Sequence, residues 1–321
     1  MHTNSVSRRS RRFDIIAVGE LLVDLISSDF ADNLHEVKDF KRLQGGSPAN
    51  LSMNMARLDN KVKLIATIGQ DDMGEYLFQC VDQMAIDCSQ LYRIELPTSL
   101  ILVTRSKGVS NFEAYRAADY QITEAQLSPQ MLRECTIFHT TCFGLSREPA
   151  RSAILIAAEF AAKEGGQLAI DLNYAPKIWP DQDKAQDVVA KYCSFGALVK
   201  VSDVDWQRLY NREIRDRTEV IEHFLALGAK EVCFTLGAEG CFVSNGSQSL
   251  FLPSREIQVK DTTGAGDAFW SGYLTAWLDG VSLEERALAG RKMAELKLVC
   301  FGPLPAKVSR SELYTDVEGI V

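Results

Sequence analysis

Val259-Lys260-Asp261-Thr262-Thr263-Gly264-Ala265-Gly266-Asp267-Ala268-Phe269-Trp270 begins polar and glycine-rich and ends as a run whose apolar residues recur at helical spacing. The stretch predicts a loop that turns into a helix. Gly264 and Gly266 allow the backbone to bend closely around a ligand. The N–H groups of Gly264, Ala265 and Gly266 are expected to point ahead of the helix, where its dipole also favours negative charge. That describes an anion site. An acid in the middle of it, Asp267, would repel a phosphate unless the site needs a base beside a phosphoryl group. Taking the proton from an alcohol as it attacks a γ-phosphate is such a need. The alternative is a plain helix start with Asp267 as a cap or first-turn acid.

Working outward, two segments at the other end of the chain have a similar character. Phe13–Asp24 is an almost unbroken apolar run interrupted by Gly19-Glu20, which predicts one central strand with Asp24 at its far end. A carboxylate there either faces solvent or binds something. Gly45-Gly46-Ser47-Pro48-Ala49-Asn50 then precedes a helix predicted over 51–58. The glycines permit close backbone approach, and Asn50 offers a donor and an acceptor, or simply caps the helix. The helix 148–164, the strand 167–170 and the strand 197–201 follow in the alternating rhythm of a doubly wound sheet. Asp171 and Asn173 sit at a strand's C-terminal end, where open α/β sheets place ligand groups.

DTTGAGDAF closely resembles the C-terminal signature of the ribokinase-like (PfkB) carbohydrate kinases, and GGSPANLSMNMARL resembles their N-terminal one. It is not a phosphate loop of the GxxxxGK[ST] kind, since no Lys-Ser/Thr follows the glycines. The resemblance runs from about Phe13 to Ser311. It implies an α/β, ribokinase-like three-layer sandwich with a mostly parallel central sheet and a small β-sheet lid formed by about 33–44 and 96–118. It implies an ATP-dependent transfer to a primary sugar hydroxyl, with Asp267 as base and Gly264, Ala265 and Gly266 as the anion hole. Sugar ligands carried over are Asp24, Gly45, Gly46, Asn50, Arg116 and Asp171. The nucleotide side would comprise Asn173, Lys200, Ser202, Thr235, Gly237, Gly240 and, walling the adenine, Gly302. Mg²⁺ would be positioned near Asp205, and K⁺ near Asp261.

FEAYRAAD (112–119) and DLNYAPKIW (171–179) are similar to segments of fructokinase-like and 2-keto-3-deoxygluconate kinase-like members. Fructose is therefore the implied substrate, with 2-keto-3-deoxygluconate, ribose or another ketose or polyol as alternatives. The resemblance implies that Arg116 reaches the bound sugar, the alternative being a surface or edge-strand arginine. Three positions depart from the family pattern. Ala175 stands where an arginine is usual, and Ser202 and Asp205 replace the usual Asn and Glu. Ser202-Asp205 also reads as an ordinary helix cap. These departures keep a non-catalytic sugar- or nucleotide-binding protein as a competing reading, which the intact Asp267 opposes. A Rossmann-type dehydrogenase would need GxGxxG after the first strand, and Gly19-Glu20-Leu21-Leu22 stands there instead.

Composition fits these readings. The chain has 321 residues, 46% apolar and 24% charged, with a net charge of −8. Such a charge gives no reason to expect nucleic acid or an anionic membrane as partner, so ATP must be bound by a local site. Eight cysteines lie scattered without a CxxC pair, which reads as thiols in a reducing, cytoplasmic setting. His139 and Cys142 read as a packed pair at a strand end. No apolar stretch reaches membrane-spanning length. Residues 1–12 read as a disordered basic tail ahead of a kinase domain over 13–321. The family resemblance also implies a homodimer joined through the lid.

Overall fold

The computed structural model describes residues 11–105, 111–304 and 307–315. Thirteen strands are seen among them: β1 Phe13–Val18, β2 Leu22–Phe30, β3 Phe40–Gly45, β4 Val62–Gly69, β5 Ile86–Ile94, β6 Leu100–Arg105, β7 Phe112–Tyr115, β8 Cys135–Thr141, β9 Gln167–Asp171, β10 Leu198–Ser202, β11 Glu231–Thr235, β12 Gly240–Ser244 and β13 Ser249–Pro253. Nine form a central sheet in the order β13-β12-β11-β10-β9-β8-β1-β4-β5. From β11 through β5 the neighbours pair in parallel, and β12 and β13 add an antiparallel edge. The other four make a smaller sheet, β3-β2-β6-β7. The architecture is an α/β ribokinase-like sandwich with a mixed central sheet and an accessory sheet.

Alternation along β1 shows why the sheet is covered on both faces. Ile16 and Val18 pack into one core with Ile154, Val189, Trp206 and Phe224, which come from the helices Ala150–Lys163, Gln182–Ser194, Asp203–Tyr210 and Arg217–Ala226. Ile15 and Ala17 face a second core with Leu51, Met55, Trp270, Tyr273 and Leu288. That side is covered by the helices Ser47–Arg57, Ala265–Asp279 and Leu283–Leu298. Strands buried on both faces carry no polar alternation, as the six fully buried residues of β1 show.

The run Phe13–Asp24 is not one strand. The chain leaves the central sheet at Gly19, whose φ of 151° and close approach to the Pro48 ring, 2.8 Å from where a Cβ would stand, admit no side chain without a shift. It then enters the accessory sheet as β2. Asp24 therefore lies within β2, paired to Leu43 and Ile101, rather than at the end of a central strand. The 33–44 segment contributes β3 after a short 3₁₀ turn, Leu34–Glu36. The helix expected over 51–58 begins earlier, at Ser47, with Pro48 near its start and Gly46 at φ 99° as its cap. Residues 1–10 and 106–110 lie outside the described residues. Arg11 is anchored, donating to the carbonyl oxygens of Cys135 and Glu164 at 2.6 and 2.7 Å. Among the described residues no helix is long and apolar enough to cross a membrane.

Candidate active site

The glycine-rich loop leads into the helix Ala265–Asp279, with Gly264 at its N-cap in the left-handed region, φ 75°. Ala265 N–H donates to the Thr262 carbonyl oxygen at 3.2 Å, so it closes the turn and is not free for an anion as expected. Gly264 and Gly266 N–H groups have no partner among the described residues. A Cβ at Gly266 would stand 3.2 Å from the Lys200 ammonium, which places a fixed positive charge against this turn.

Asp267 sits in the first turn of that helix and is clamped by the N-terminal signature. Ser47 Oγ donates to its Oδ1 at 2.6 Å and Asn50 Nδ2 to its Oδ2 at 2.8 Å. Asn50 is itself oriented by β3, since Gln44 Nε2 donates to its Oδ1 at 3.1 Å. Residues more than 200 positions apart in sequence are thus joined at one carboxylate. Burial raises the Asp267 pKa; the bonds from Ser47 and Asn50 and the Lys200 and Lys297 charges pull it back in part. The result is a carboxylate more basic than an exposed aspartate, held within a turn of two N–H donors. That combination can accept a proton while stabilising a transferring anion.

Asp24, Asn50, Asp261, Gly264, Lys297 and Gly302 line a cavity between β2 and this loop. Burial, followed by the neighbouring Asp267, pushes the Asp24 carboxyl up to about 7. Gly45 is required here, because a Cβ on it would stand 2.2 Å from Asp24 Oδ2. Gly46 is equally tight, 2.2 Å from the Glu20 carbonyl oxygen. Gly302, expected at the adenine, borders this cavity, and a Cβ on it would stand 3.7 Å from the Leu43 side chain of β3.

Behind the loop, Lys200 Nζ donates to both oxygens of Asp171 at 2.9 Å, and both side chains are buried. Burial raises Asp171 to about 6; Lys200 opposes that, and the charges of Asp205 and Asp267 add to it. Burial alone would lower the Lys200 pKa, but its three acidic neighbours, Asp171 foremost, bring it out raised. Register in the sheet aligns Lys200 with Asp171 and Ser202 with Thr235, so the C-terminal ends of β9, β10 and β11 form one polar edge. Asn173, exposed at φ 34°, and Gly237 at φ 53° belong to that edge. Gly240 serves the β12–β13 pairing, its φ of 122° leaving no Cβ space beside the Leu252 carbonyl oxygen.

Arg116 and Asp205, two further residues expected at the site, are held by other protein groups. Arg116 is not among the residues lining the cavity: its Nε and Nη2 donate to Asp119 Oδ2 at 2.9 and 2.6 Å, Nη1 to Ser146 Oγ at 2.6 Å, and the guanidinium lies 4.0 Å over the Phe143 ring. With 1% of its side chain exposed, it is a structural ion pair. Asp205 is engaged on both oxygens. Its Oδ1 accepts from Tyr174 N–H and its Oδ2 from Ser202 N–H and Oγ, which is a capping box for the helix Asp203–Tyr210. Among the described residues no group of three or more His, Cys, Asp or Glu is placed to hold a metal. His139 lies inside β8, buried, and burial pushes it down to about 3, so it stays neutral.

Ser47, Gln44, Glu20 and Lys297 were not singled out by sequence reasoning. Ser47 and Gln44 act through partners far along the chain, which local pattern does not reveal. Lys297 had a signal: Leu283, Ala287, Gly290 and Met293 form the buried stripe of their helix, and Lys297 occupies the next place on it. Glu20 accepts from Ser47 N–H at 3.1 Å and Thr141 Oγ at 3.0 Å, and burial raises it to about 8. A carboxyl that binds its proton more tightly folded than unfolded contributes stability that is full below the unfolded value and lost as pH rises through the folded one. Stability should thus fall between about pH 4.5 and 8 on account of Glu20. Glu20→Gln should flatten this fall by more than about 1.4 kcal/mol, the equivalent of tenfold in proton affinity. Urea unfolding of both proteins across that range measures it, and parallel curves would remove Glu20 as the cause.

A mostly parallel sheet with a polar C-terminal edge, a helix start with unpartnered N–H donors and a clamped, buried carboxylate beside it have the chemistry that phosphoryl transfer to an alcohol requires. Residues 12–307 match the pfkB family of carbohydrate kinases, and the chain belongs to that family. It is an ATP-dependent carbohydrate kinase. It is 31% identical over 294 residues to an ATP-dependent 6-phosphofructokinase of Thermoanaerobacterium thermosaccharolyticum, covering 92% of this chain and 90% of that protein. It is 31% identical over 260 residues to fructokinase-1 of Oryza sativa subsp. japonica, covering 79% and 80%. The structure resembles that of Halothermothrix orenii fructokinase with a TM-score of 0.77 at 31% identity, covering 89% of this chain and 98% of that one.

Proposed function

We propose that the chain phosphorylates a primary hydroxyl of fructose, with Asp267 as the base. The observation that carries this reading is the Ser47–Asp267–Asn50 clamp, which fixes a raised-pKa carboxylate between the Asp24 cavity and the Gly264–Gly266 turn. Likeness to the rice and Halothermothrix fructokinases supports fructose as the acceptor.

In this reading the sugar hydroxyls bind Asp24 and the backbone at Gly45 and Gly46. Its primary hydroxyl rests against Asp267, which takes the proton as the oxygen attacks the γ-phosphorus and ADP leaves. Gly264 and Gly266 N–H groups, with Lys200 behind them, bear the charge of the transferring group. ATP lies along the polar edge marked by Asn173, Thr235 and Gly237. Mg²⁺, when bound, would neutralise phosphate charge and would be held by the ATP phosphates themselves, since Asp205 is engaged by Tyr174 N–H and by its helix cap. The accessory sheet acts as a lid that keeps water from the γ-phosphate.

A second acceptor, fructose 6-phosphate, is favoured by one observation. Arg57 lines the same cavity, only 9% exposed, and its hydrogen-bond partner there is the Asn54 amide oxygen, at 3.2 Å. A buried guanidinium without a carboxylate suits a phosphate. The Thermoanaerobacterium relative points the same way. Coupled ADP release over fructose, fructose 6-phosphate, 2-keto-3-deoxygluconate, ribose and nucleosides decides between them. Fructose should give the highest kcat/KM, and a maximum on fructose 6-phosphate that collapses in Arg57→Gln would replace that reading.

A further inference from the structure

The family resemblance implies a monovalent cation beside Asp261, and the residues present do not fit one. Lys297 Nζ lies 3.5 Å from Asp261 Oδ2, with only 7% and 10% of the two side chains exposed. The same oxygen faces Gly302 N–H at 3.4 Å, and Oδ1 accepts from Thr263 N–H at 3.0 Å. The carboxylate is therefore surrounded by donors, whereas a bound cation would need several converging oxygens. A second cation placed here would also face the lysine's charge.

We infer that Lys297 is a built-in cation that positions the anion loop, and that this kinase works without a monovalent metal ion. The inference rests on the kinase reading above and adds a positioning residue to it. Three further contacts tie this lysine's helix end to the loop. Lys260 N–H donates to the Leu298 carbonyl oxygen at 2.8 Å, and Asp261 N–H faces the same oxygen at 3.4 Å, so the segment ahead of the glycines is hooked to the last turn of the helix Leu283–Leu298. A Cβ at Gly264 would stand 3.6 Å from Lys297 Cε, so the lysine stem packs directly against the turn that carries the two N–H donors. The ammonium thus neutralises Asp261, which would otherwise set a bare negative charge beside incoming phosphates. Through Asp261 it holds Thr263 and the turn after it. Lys297 also adds positive charge near Asp267 without touching the reacting atoms.

The test compares wild type, Lys297→Met and Lys297→Arg in buffers of tetramethylammonium, Na⁺ or K⁺ at equal ionic strength. Wild type and Lys297→Arg should each show a turnover that does not depend on which of the three cations is present. Lys297→Met should lose on the order of tenfold in kcat in tetramethylammonium and recover in K⁺, with KM for the sugar little changed. Thermal unfolding without substrates gives a readout independent of turnover. K⁺ should raise the Tm of Lys297→Met and leave wild type unmoved, because only the vacated site binds the ion. Asp261→Asn/Lys297→Met removes both charges and should fold without responding to K⁺, which covers the case in which the single variant is too unstable. Activation of the wild type by K⁺, or a Lys297→Met enzyme with wild-type turnover in tetramethylammonium, overturns the inference. If no sugar is phosphorylated, the kinase reading fails while the thermal data still decide the role of Lys297.

Discussion

Asp267→Asn should lower kcat by about 10²- to 10⁴-fold, the span over which a positioned general base contributes. Burial makes this carboxylate a better base than an exposed one, and Ser47 and Asn50 fix its direction. The amide cannot take a proton. It can keep its oxygen toward the Asn50 Nδ2 donor only by turning its NH2 toward Ser47 Oγ, which must then accept where it had donated. Affinity for ATP should change little, since the N–H donors of Gly264 and Gly266 remain. Steady-state kinetics with a parallel melting curve measures this, and a folded variant with wild-type turnover would remove Asp267 as the base. Because the base must be ionised, wild-type kcat should fall on acidification at a higher pH than an ordinary aspartate would impose.

Arg116→Met is expected to be the most damaging to stability, by roughly 3–5 kcal/mol, because it strands Asp119 as an unpaired buried charge. Both side chains of this pair are buried, 1% and 0% exposed, and the carboxylate has Ser99 Oγ as its remaining side-chain partner, at 2.5 Å. For a chain of this size the loss corresponds to a Tm lower by roughly 4–7 °C. Arg116→Met/Asp119→Leu should recover part of it, since replacing both charges leaves nothing stranded. If Arg116 instead read the sugar, the single variant would raise KM at an unchanged Tm. Calorimetry and kinetics on the same preparations separate the two.

The two signatures were legible because each packs its chemistry into a few consecutive residues: the glycine turn with Asp267, and the glycine pair with Asn50. The layered α/β fold was legible from apolar runs alternating with helical periods. What escaped was set by contacts distant in sequence. Asp24 read as the end of a long strand because periodicity carries no mark of the chain changing sheets at Gly19. Arg116 read as a ligand because FEAYRAAD does not disclose that Ser146 and Phe143 close around its guanidinium. Asp205 read as a metal ligand although Ser202 three residues before it already spelled a capping box. β5, at the edge of the central sheet and mostly half-buried, lacks the apolar run by which the inner strands are recognised.

Passage between the two sheets is short where the site is built. Only Gly19, Glu20 and Leu21 separate β1 from β2, and only Gly46 separates β3 from the helix Ser47–Arg57. Three residues reach no further than about 10 Å when fully stretched. Glu20 is also tied on both oxygens, to Ser47 and Thr141. Whatever the accessory sheet does during turnover, it can rock about this double tether but cannot travel. Asp24 on β2 is thereby kept close to Asp267, near enough for the charge of one carboxylate to raise the other.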